Sequence, residues 1–182
     1  MKKIIFLTLF SVSISTIAQS KYLTKTGLLN FEASVPSFEE VAAKNNSVTA
    51  ILNTENGEFA ALALVKGFRF KNALMEEHFN ENYAESDEFP KATFKGKVDA
   101  LDFDDLSNEE SNTSIDGSLT FHGVTKQIKD IPLTLKMEGD KIIITGNFTV
   151  LVSDFDIEIP KIVANKLSNK VDIDFRFELV KK

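Results

Sequence analysis

The chain of 182 residues contains no cysteine and no tryptophan, and it has only two histidines and four prolines. Without cysteine there can be no disulfide, no thiol nucleophile and no thiolate ligand for zinc. The two histidines, His78 and His122, lie far apart in the sequence and show no HxxxH-type spacing. We therefore predict a protein that is not an enzyme, with no catalytic residues, no metal and no cofactor.

Only the N-terminus carries a long apolar run. Two lysines follow Met1, residues 4–17 are apolar apart from serine and threonine, and the small residues Ala18 and Ser20 follow. This order is typical of a secretory signal peptide. The rival interpretation is a transmembrane anchor, but such a helix needs about 20 consecutive apolar residues. We expect cleavage after Ser20, with Ala18 as an alternative end, and a periplasmic or secreted protein.

Removal of the predicted signal peptide, residues 1–20, leaves residues 21–182, a length that suits one domain. Because two lysines are lost, the formal charge falls from −6 to −8. An acidic surface of this kind repels phosphate backbones and anionic headgroups. The charge therefore argues against nucleic acid and an anionic bilayer as partners, and no stable membrane insertion is expected.

Apolar and polar residues alternate through most of the remaining chain. In the clearest run, Val171, Ile173, Phe175, Phe177 and Leu179 alternate with Asp172, Asp174, Arg176 and Glu178. A period of two is typical of half-buried antiparallel strands. Short turns, such as Asn56-Gly57 and residues 138–140, separate seven or eight of these runs. The pattern predicts an all-β barrel or sandwich and does not choose between them.

Helical patterns interrupt the strands at a few places. Residues 37–43 predict a short helix that Ser37 caps, with Glu40 as its capping-box partner. Apolar residues spaced by three and four predict a second helix over residues 72–83. A third helical turn is expected over residues 161–167, after a proline.

The polar residues offer little catalytic chemistry. His122 lies near Ser118 and Thr120, so a Ser-His pair is conceivable, but a histidine there is more typical of a residue that hydrogen-bonds the next turn. His78 is interpreted as a helix cap or packing residue. The acidic segment 102–112 is expected to be a solvated loop rather than a calcium site.

Phenylalanine is abundant, with 16 copies in the chain, and the inward-facing residues are almost all apolar. They form either a filled core or the wall of an apolar cavity. Gly96, Gly117 and Gly146 interrupt three inward faces and either widen such a cavity or bend the barrel. A leucine at Gly146 would fill a cavity if one lies there and would overpack the core if none does. The predicted cavity-lining residues are Phe94, Val98, Leu119, Phe121, Leu135, Ile144, Phe148, Phe175 and Phe177.

Two segments carry a family resemblance. Residues 89–94 read FPKATF and residues 117–126 read GSLTFHGVTK, with EHF at residues 77–79 and VSDFDI at residues 152–157. In this order and spacing they resemble the YceI-like family. The resemblance implies a lipocalin-like antiparallel barrel of about eight strands, usually periplasmic, that holds a long polyisoprenoid chain.

Particular residues match or depart from that family pattern. By the resemblance, Gly123 would supply a positive φ in a hairpin, and Thr120 and His122 would hold the turn by hydrogen bonds. Val152 stands where the family often has arginine, and Asp156 where it often has glycine.

We therefore expect an exported binding protein that holds a long-chain apolar small molecule, such as an isoprenoid, a quinone or a fatty acyl chain, inside a β-barrel. The alternative is a ligand-free exported barrel that acts in a stress response or in interactions with other proteins. Neither function involves catalysis.

Overall fold

The computed structural model describes residues 20–36 and 38–182. The predicted signal peptide, apart from Ser20, lies outside the described residues, so export stays a prediction. Within the described part, the strands are β1 (Lys21–Ser34), β2 (Ala42–Asn53), β3 (Glu58–Leu64), β4 (Arg69–Phe70), β5 (Lys91–Val98), β6 (Ser111–Phe121), β7 (Val124–Glu138), β8 (Lys141–Leu151) and β9 (Leu167–Lys181), and the α-helix is α1 (Ala73–His78).

The strands form one closed antiparallel sheet. Their order is β1-β9-β8-β7-β6-β5-β3-β2, and β1 also pairs with β2, which closes the barrel. The two-residue strand β4 pairs with β2 beyond the point where β3 ends, so β3 and β4 act as one strand interrupted at Val65–Gly67. The result is an eight-stranded barrel, and the choice between barrel and sandwich is decided. Closure leaves no long unpaired edge in this sheet.

The predicted alternation is confirmed on the strands. Along β9, Val171, Phe177 and Leu179 are buried, whereas Asp172 and Asp174 between them are exposed. Successive side chains of a strand point to opposite faces, so the apolar set faces the interior and the charged set faces solvent.

The predicted helix over residues 72–83 is confirmed in extent. Helix α1 runs into a π-helical turn, Phe79–Tyr83, and the Asn72 side chain accepts a hydrogen bond of 2.9 Å from the Leu74 N–H. This cap satisfies one of the free N–H groups at the helix start.

The helix predicted over residues 37–43 is wrong. Ala42 and Ala43 begin β2, where Ala43 pairs with Phe31 of β1, and Ser37 lies outside the described residues. The Ala33 N–H donates to the Val41 carbonyl at 2.8 Å, so strand pairing already holds the backbone before β2 begins. Tertiary pairing here overrides a local capping pattern.

The connections fall at two ends of the barrel. At one end, here called the closed end, lie residues 54–57, 99–110 and 139–140. At the other, here called the mouth, lie residues 35–36, 38–41, 65–90, 122–123 and 152–166. The helical turn predicted over residues 161–167 is a series of hydrogen-bonded turns at the mouth, in which the Leu167 N–H donates to the Val163 carbonyl at 3.1 Å.

The closed end is filled. Leu52, Leu135 and Leu179 have no exposed surface, and Ile142 is 2% exposed. The acidic residues of the 99–110 segment are exposed as predicted, but its apolar residues pack against the core and cover this end. These covering residues are Leu101, Phe103 and Leu106.

Candidate ligand-binding cavity

Inside the mouth the strands enclose a chamber of about 550 Å³, here called the outer chamber. Twenty-two of its 27 wall residues are apolar. Eight of these are phenylalanines: Phe31, Phe38, Phe68, Phe70, Phe79, Phe121, Phe148 and Phe155. The polar residues of the wall are Glu39, His78, Tyr83, Lys166 and Ser168. The volume is in the range of small-molecule sites, and the wall is more apolar than most of them.

One wall of the outer chamber is an aromatic cluster. The Phe31 ring of β1 lies 5.2 Å from Phe68, 5.7 Å from Phe70 and 5.4 Å from Phe79, measured between ring centroids. Rings at these separations and in tilted or edge-on orientations attract one another beyond their area of contact. Ala43 of β2 pairs with Phe70 of β4, and its small side chain leaves room for the rings. The cluster joins the barrel wall to the helical segment.

A second wall is formed by the segment that follows β8. A 3-10 turn, Val152–Phe155, brings the Phe155 ring to within 6.0 Å of Phe121, and Phe155 is only 2% exposed. Asp156 ends this turn with a φ of 56°. Aspartate tolerates this left-handed conformation better than most residues, so it suits the position where the resembled pattern has glycine. Val152, where that pattern has arginine, lines the chamber as an apolar residue.

His122 connects three segments of the mouth. It forms a two-residue turn with Gly123, and both have positive φ values, 48° and 73°. Its Nδ1 lies 2.9 Å from the Phe155 carbonyl oxygen, and its Nε2 lies 2.9 Å from Glu85 Oε2. The ring also packs edge-on against Phe89 at 4.7 Å. The imidazole therefore fixes one chamber wall and has both nitrogens engaged.

The turn-holding roles expected from the resemblance are partly corrected. The Thr120 and Thr125 hydroxyls lie 2.8 Å apart across the hairpin, so the expectation for Thr120 is confirmed. His122 does not hydrogen-bond its own hairpin through its side chain but reaches to Phe155 and Glu85. Sequence spacing could not reveal partners that lie 33 and 37 residues away.

One ion pair and one hydrogen bond join two other mouth segments on the outside. The Lys71 ammonium, just before α1, hydrogen-bonds the Glu40 carboxylate, and Asn72 Nδ2 lies 3.4 Å from Glu39 Oε1. The hydrogen bond and the negative charge of Glu40 raise the pKa of Lys71. Because these groups are exposed, solvent screens the attraction and it contributes little to stability.

Below the outer chamber lies a second cavity of about 60 Å³, here called the inner chamber. Its wall includes five phenylalanines: Phe59, Phe94, Phe148, Phe175 and Phe177. The two chambers share four wall residues: Leu29, Ala92, Leu119 and Phe148.

The nine predicted lining residues fall at different depths. Leu119 and Phe148 line both chambers, and Phe121 lines the outer one. The inner chamber is bordered by Phe94, Ile144, Phe175 and Phe177. Val98 and Leu135 border neither chamber, because they lie in the filled core near the closed end, where they are 4% and 0% exposed. Contact of any of these residues with a ligand stays a prediction.

The sequence interpretation missed the aromatic cluster of Phe31, Phe68, Phe70 and Phe79 and the wall that contains Phe155. None of these lies on a clean alternating strand that would mark its face. The available signal was the density of phenylalanine between residues 68 and 79 in a segment without long strands.

The glycines of the inward faces make room for aromatic rings rather than for a ligand. A Cβ at Gly146 would lie 2.6 Å from Phe175 Cζ and 2.7 Å from the Pro132 carbonyl oxygen. At Gly117 a Cβ would lie 2.3 Å from Phe94 Cζ. Of the two outcomes expected for a leucine at Gly146, the structure therefore favours overpacking, because the Phe175 ring already occupies that space.

Two further features of the described residues bear on the site. Within the described residues, 20–36 and 38–182, no three histidine, aspartate or glutamate side chains converge in a way that could hold a metal ion. In the same part of the chain, no helix has both the length and the apolar character needed to cross a membrane.

Comparisons with known proteins place this geometry in context. A profile of the YceI-like domain matches residues 16–179. A polyisoprenoid binding domain from Saccharophagus degradans, implicated in plant cell wall breakdown, superposes with a TM-score of 0.78 at 18% identity, over 90% of this chain and 99% of that chain. BcnA of Burkholderia cenocepacia superposes with a TM-score of 0.69 at 14% identity, over 85% of this chain and 96% of that one.

A YceI protein of Campylobacter jejuni aligns over 100% of this chain and 99% of its own, with a TM-score of 0.50 at 18% identity. At such identities the likeness concerns the fold. No curated protein sequence matches this chain significantly.

Proposed function

This chain belongs to the YceI-like family, and we propose that it is an exported binding protein that holds an apolar, isoprenoid-like or lipid-like molecule inside the barrel. The observation that carries the proposal is the outer chamber, a space of about 550 Å³ walled by phenylalanine and aliphatic residues and open at the mouth. We assign no reaction to this site.

The wall chemistry explains what such a site would select. Each methylene removed from water contributes about 0.8 kcal/mol, so ten methylenes contribute about 8 kcal/mol before the entropy losses of binding. The polar wall residues are few, and His78 and Lys166 among them are exposed at the mouth. The energy of binding would therefore come from the tail, and selectivity would follow length and shape more than the headgroup.

The fold neighbours support the isoprenoid class. The Saccharophagus degradans domain that superposes on this barrel is a polyisoprenoid binding domain. Quinones with isoprenoid tails and fatty acyl chains offer the same apolar surface to the wall, so they are the other ligands to be tested.

Export rests on the sequence of the first twenty residues. If the protein is exported, the intact mass of the mature form will correspond to a chain that begins at Lys21. Recovery of cytosolic protein that retains Met1 would contradict export without bearing on the cavity.

The ligand is tested by extraction and uptake. Organic extraction of the protein purified from its exported form, followed by mass spectrometry, is expected to release an isoprenoid, a quinone or a fatty acid. After delipidation, the protein should take up a fluorescent polyene fatty acid. If no lipid is extracted and no polyene is taken up, the proposal fails and the ligand-free interaction barrel takes its place.

Strand β8 offers a matched pair of variants for this test. Val150 faces the outer chamber, whereas the next residue, Leu151, faces outward and is 41% exposed. Val150→Asp places a carboxylate in the apolar wall and should weaken polyene uptake at least about tenfold, because burial of an unpaired charge is costly. Leu151→Asp should leave uptake unchanged. Val150→Phe, which narrows the chamber without a charge, serves if the aspartate variant fails to fold.

A further inference from the structure

The outer chamber continues toward the middle of the barrel. Along β8 the inward residues run in order from Val150 of the outer chamber, through Phe148 of both, to Ile144 of the inner chamber. Along β6 the same order holds for Phe121, Leu119 and Ile115. The two chambers are therefore stacked along the barrel axis.

Four residues lie where the chambers meet: Leu29 of β1, Ala92 of β5, Leu119 of β6 and Phe148 of β8. We call this set the collar. All four are half-buried although they lie on inward faces, which indicates that they border space rather than packed side chains.

Phe148 is the largest side chain of the collar and Ala92 is the smallest. The Phe148 ring centroid lies 6.4 Å from that of Phe175, which in turn sits against Gly146. The Phe175 ring thus supports Phe148 from the side of the inner chamber. Phe148 therefore fills more of the space between the chambers than the other collar residues, and Ala92, three strands away on β5, fills the least.

We propose that the collar sets how deeply an apolar chain enters the barrel, and that Phe148 is the residue that determines the preferred chain length. The proposal rests on the proposed binding function. A tail occupies the outer chamber until its end meets the collar. Each methylene that fits between the mouth and the collar improves affinity about fourfold. If the chain is longer than this space, the surplus methylenes stay outside the barrel or fold back, and they add nothing to affinity.

Two substitutions move this limit in opposite directions. Phe148→Ala removes the ring and joins the chambers, so the chain length at which affinity stops rising should increase by at least two methylenes. Ala92→Leu narrows the opening from the other side, so the same length should decrease. A general loss of stability would weaken all chain lengths alike and would not produce opposite shifts.

The experiment measures displacement of the fluorescent polyene by a homologous series of saturated fatty acids and by a series of prenyl alcohols. Wild-type protein, Phe148→Ala, Ala92→Leu and the outward control Leu151→Ala are compared, each checked for folding by circular dichroism. Phe148→Leu replaces the alanine variant if that one does not fold. The control should reproduce the wild-type length profile.

Opposite shifts for the two collar variants support the proposal. If wild-type protein binds chains but the profile is unmoved in both folded variants, or moves in the same direction in both, the collar role is overturned while the binding function stands. If wild-type protein displaces the polyene with no chain of either series, the collar role falls together with the proposed function.

Discussion

At the closed end of the barrel, Leu52, Leu135 and Leu179 are fully buried, whereas at the mouth Phe70 and Phe121 remain half-buried around an open chamber. Both ends use the same eight strands with the same inward alternation. The two ends differ in what surrounds the inward side chains, which is other side chains at the closed end and an open chamber at the mouth. Branched aliphatic side chains interdigitate across the closed end, as in close-packed protein interiors.

The connections account for much of this difference. Two short turns, residues 54–57 and 139–140, and the 99–110 segment lie against the closed end, and Phe103 of that segment packs onto the core. The mouth has longer connections, residues 65–90 and 152–166, which extend the barrel wall with aromatic residues instead of plugging it. A barrel of eight strands can be filled or can hold one small ligand, and the connections decide which applies at each end.

The largest expected effect comes from a hole at the closed end. Leu135→Ala should lower the free energy of unfolding by about 2–5 kcal/mol, because the packed surroundings cannot collapse onto the lost volume. Polyene uptake should be unchanged, since Leu135 borders neither chamber. Denaturant unfolding and fluorescence titration measure the two effects.

The matching variant at the mouth is Phe121→Ala. Its ring is half-buried, so the loss should be smaller, about 1–2 kcal/mol, while polyene affinity falls. Equal stability losses for Leu135→Ala and Phe121→Ala would contradict the contrast between a filled end and a hollow end.

An intermediate effect is expected where the mouth segments are tied together. His122→Gly removes the contacts with Phe155 and Glu85, and glycine adopts the φ of 48° without strain. We expect a loss of about 1–2 kcal/mol, with faster amide hydrogen exchange in residues 84–89 and 153–157.

The turn at the closed end provides the control for this variant. Asp140→Gly alters a two-residue turn at the other end of the barrel and should leave exchange in the mouth segments unchanged. Unchanged exchange in His122→Gly as well would show that the imidazole does not restrain those segments.

The smallest effects on stability come from exposed ion pairs. The pH dependence of this stabilisation has opposite directions at the two ends of the barrel. Near the closed end, a hydrogen bond from Lys136 lowers the pKa of Glu138, and hydrogen bonds from Arg176 and Lys141 lower the pKa of Glu178. A lowered carboxyl pKa stabilises the folded state above the unfolded pKa, and the benefit is lost as pH falls through the folded value. At the mouth, the raised pKa of Lys71 stabilises below its unfolded pKa and is lost as pH rises through the folded value.

Thermal unfolding across pH at low and high salt measures these contributions. Glu178→Gln should reduce the acid dependence of the midpoint slightly, and Lys71→Met should reduce the alkaline dependence slightly. Both differences should shrink at high salt, because the groups are exposed and screened. A large shift in either variant at high salt would contradict a surface origin.

Much of the fold could be predicted from the sequence. The alternation along β9 and the turns at Asn56-Gly57 and residues 138–140 are local properties, because they depend on side-chain direction and on residues that tolerate positive φ. The helix expected over residues 37–43 fails for the complementary reason. Its capping pattern is also local, but the pairing of Ala43 with Phe31 on the preceding strand, β1, is stronger.

The candidate site could be predicted only in part. Alternation identified Leu119, Phe121 and Phe148 as inward residues, and the structure places them at the outer chamber. Alternation identified Val98 and Leu135 as inward residues in the same way, but these two lie in the filled core. The pattern of a strand gives the face of a residue but carries no information on its depth along the barrel.

The sequence by itself therefore determined which residues face inward, where the hairpins turn and that the chain is antiparallel β. Tertiary structure decided that the sheet closes, that the Phe94 ring covers Gly117 and the Phe175 ring covers Gly146, and that an outer and an inner chamber remain within the barrel. Alternation is set by the backbone of one strand, whereas empty space depends on which side chains from different strands meet across the barrel, and those meetings exist only once it has closed.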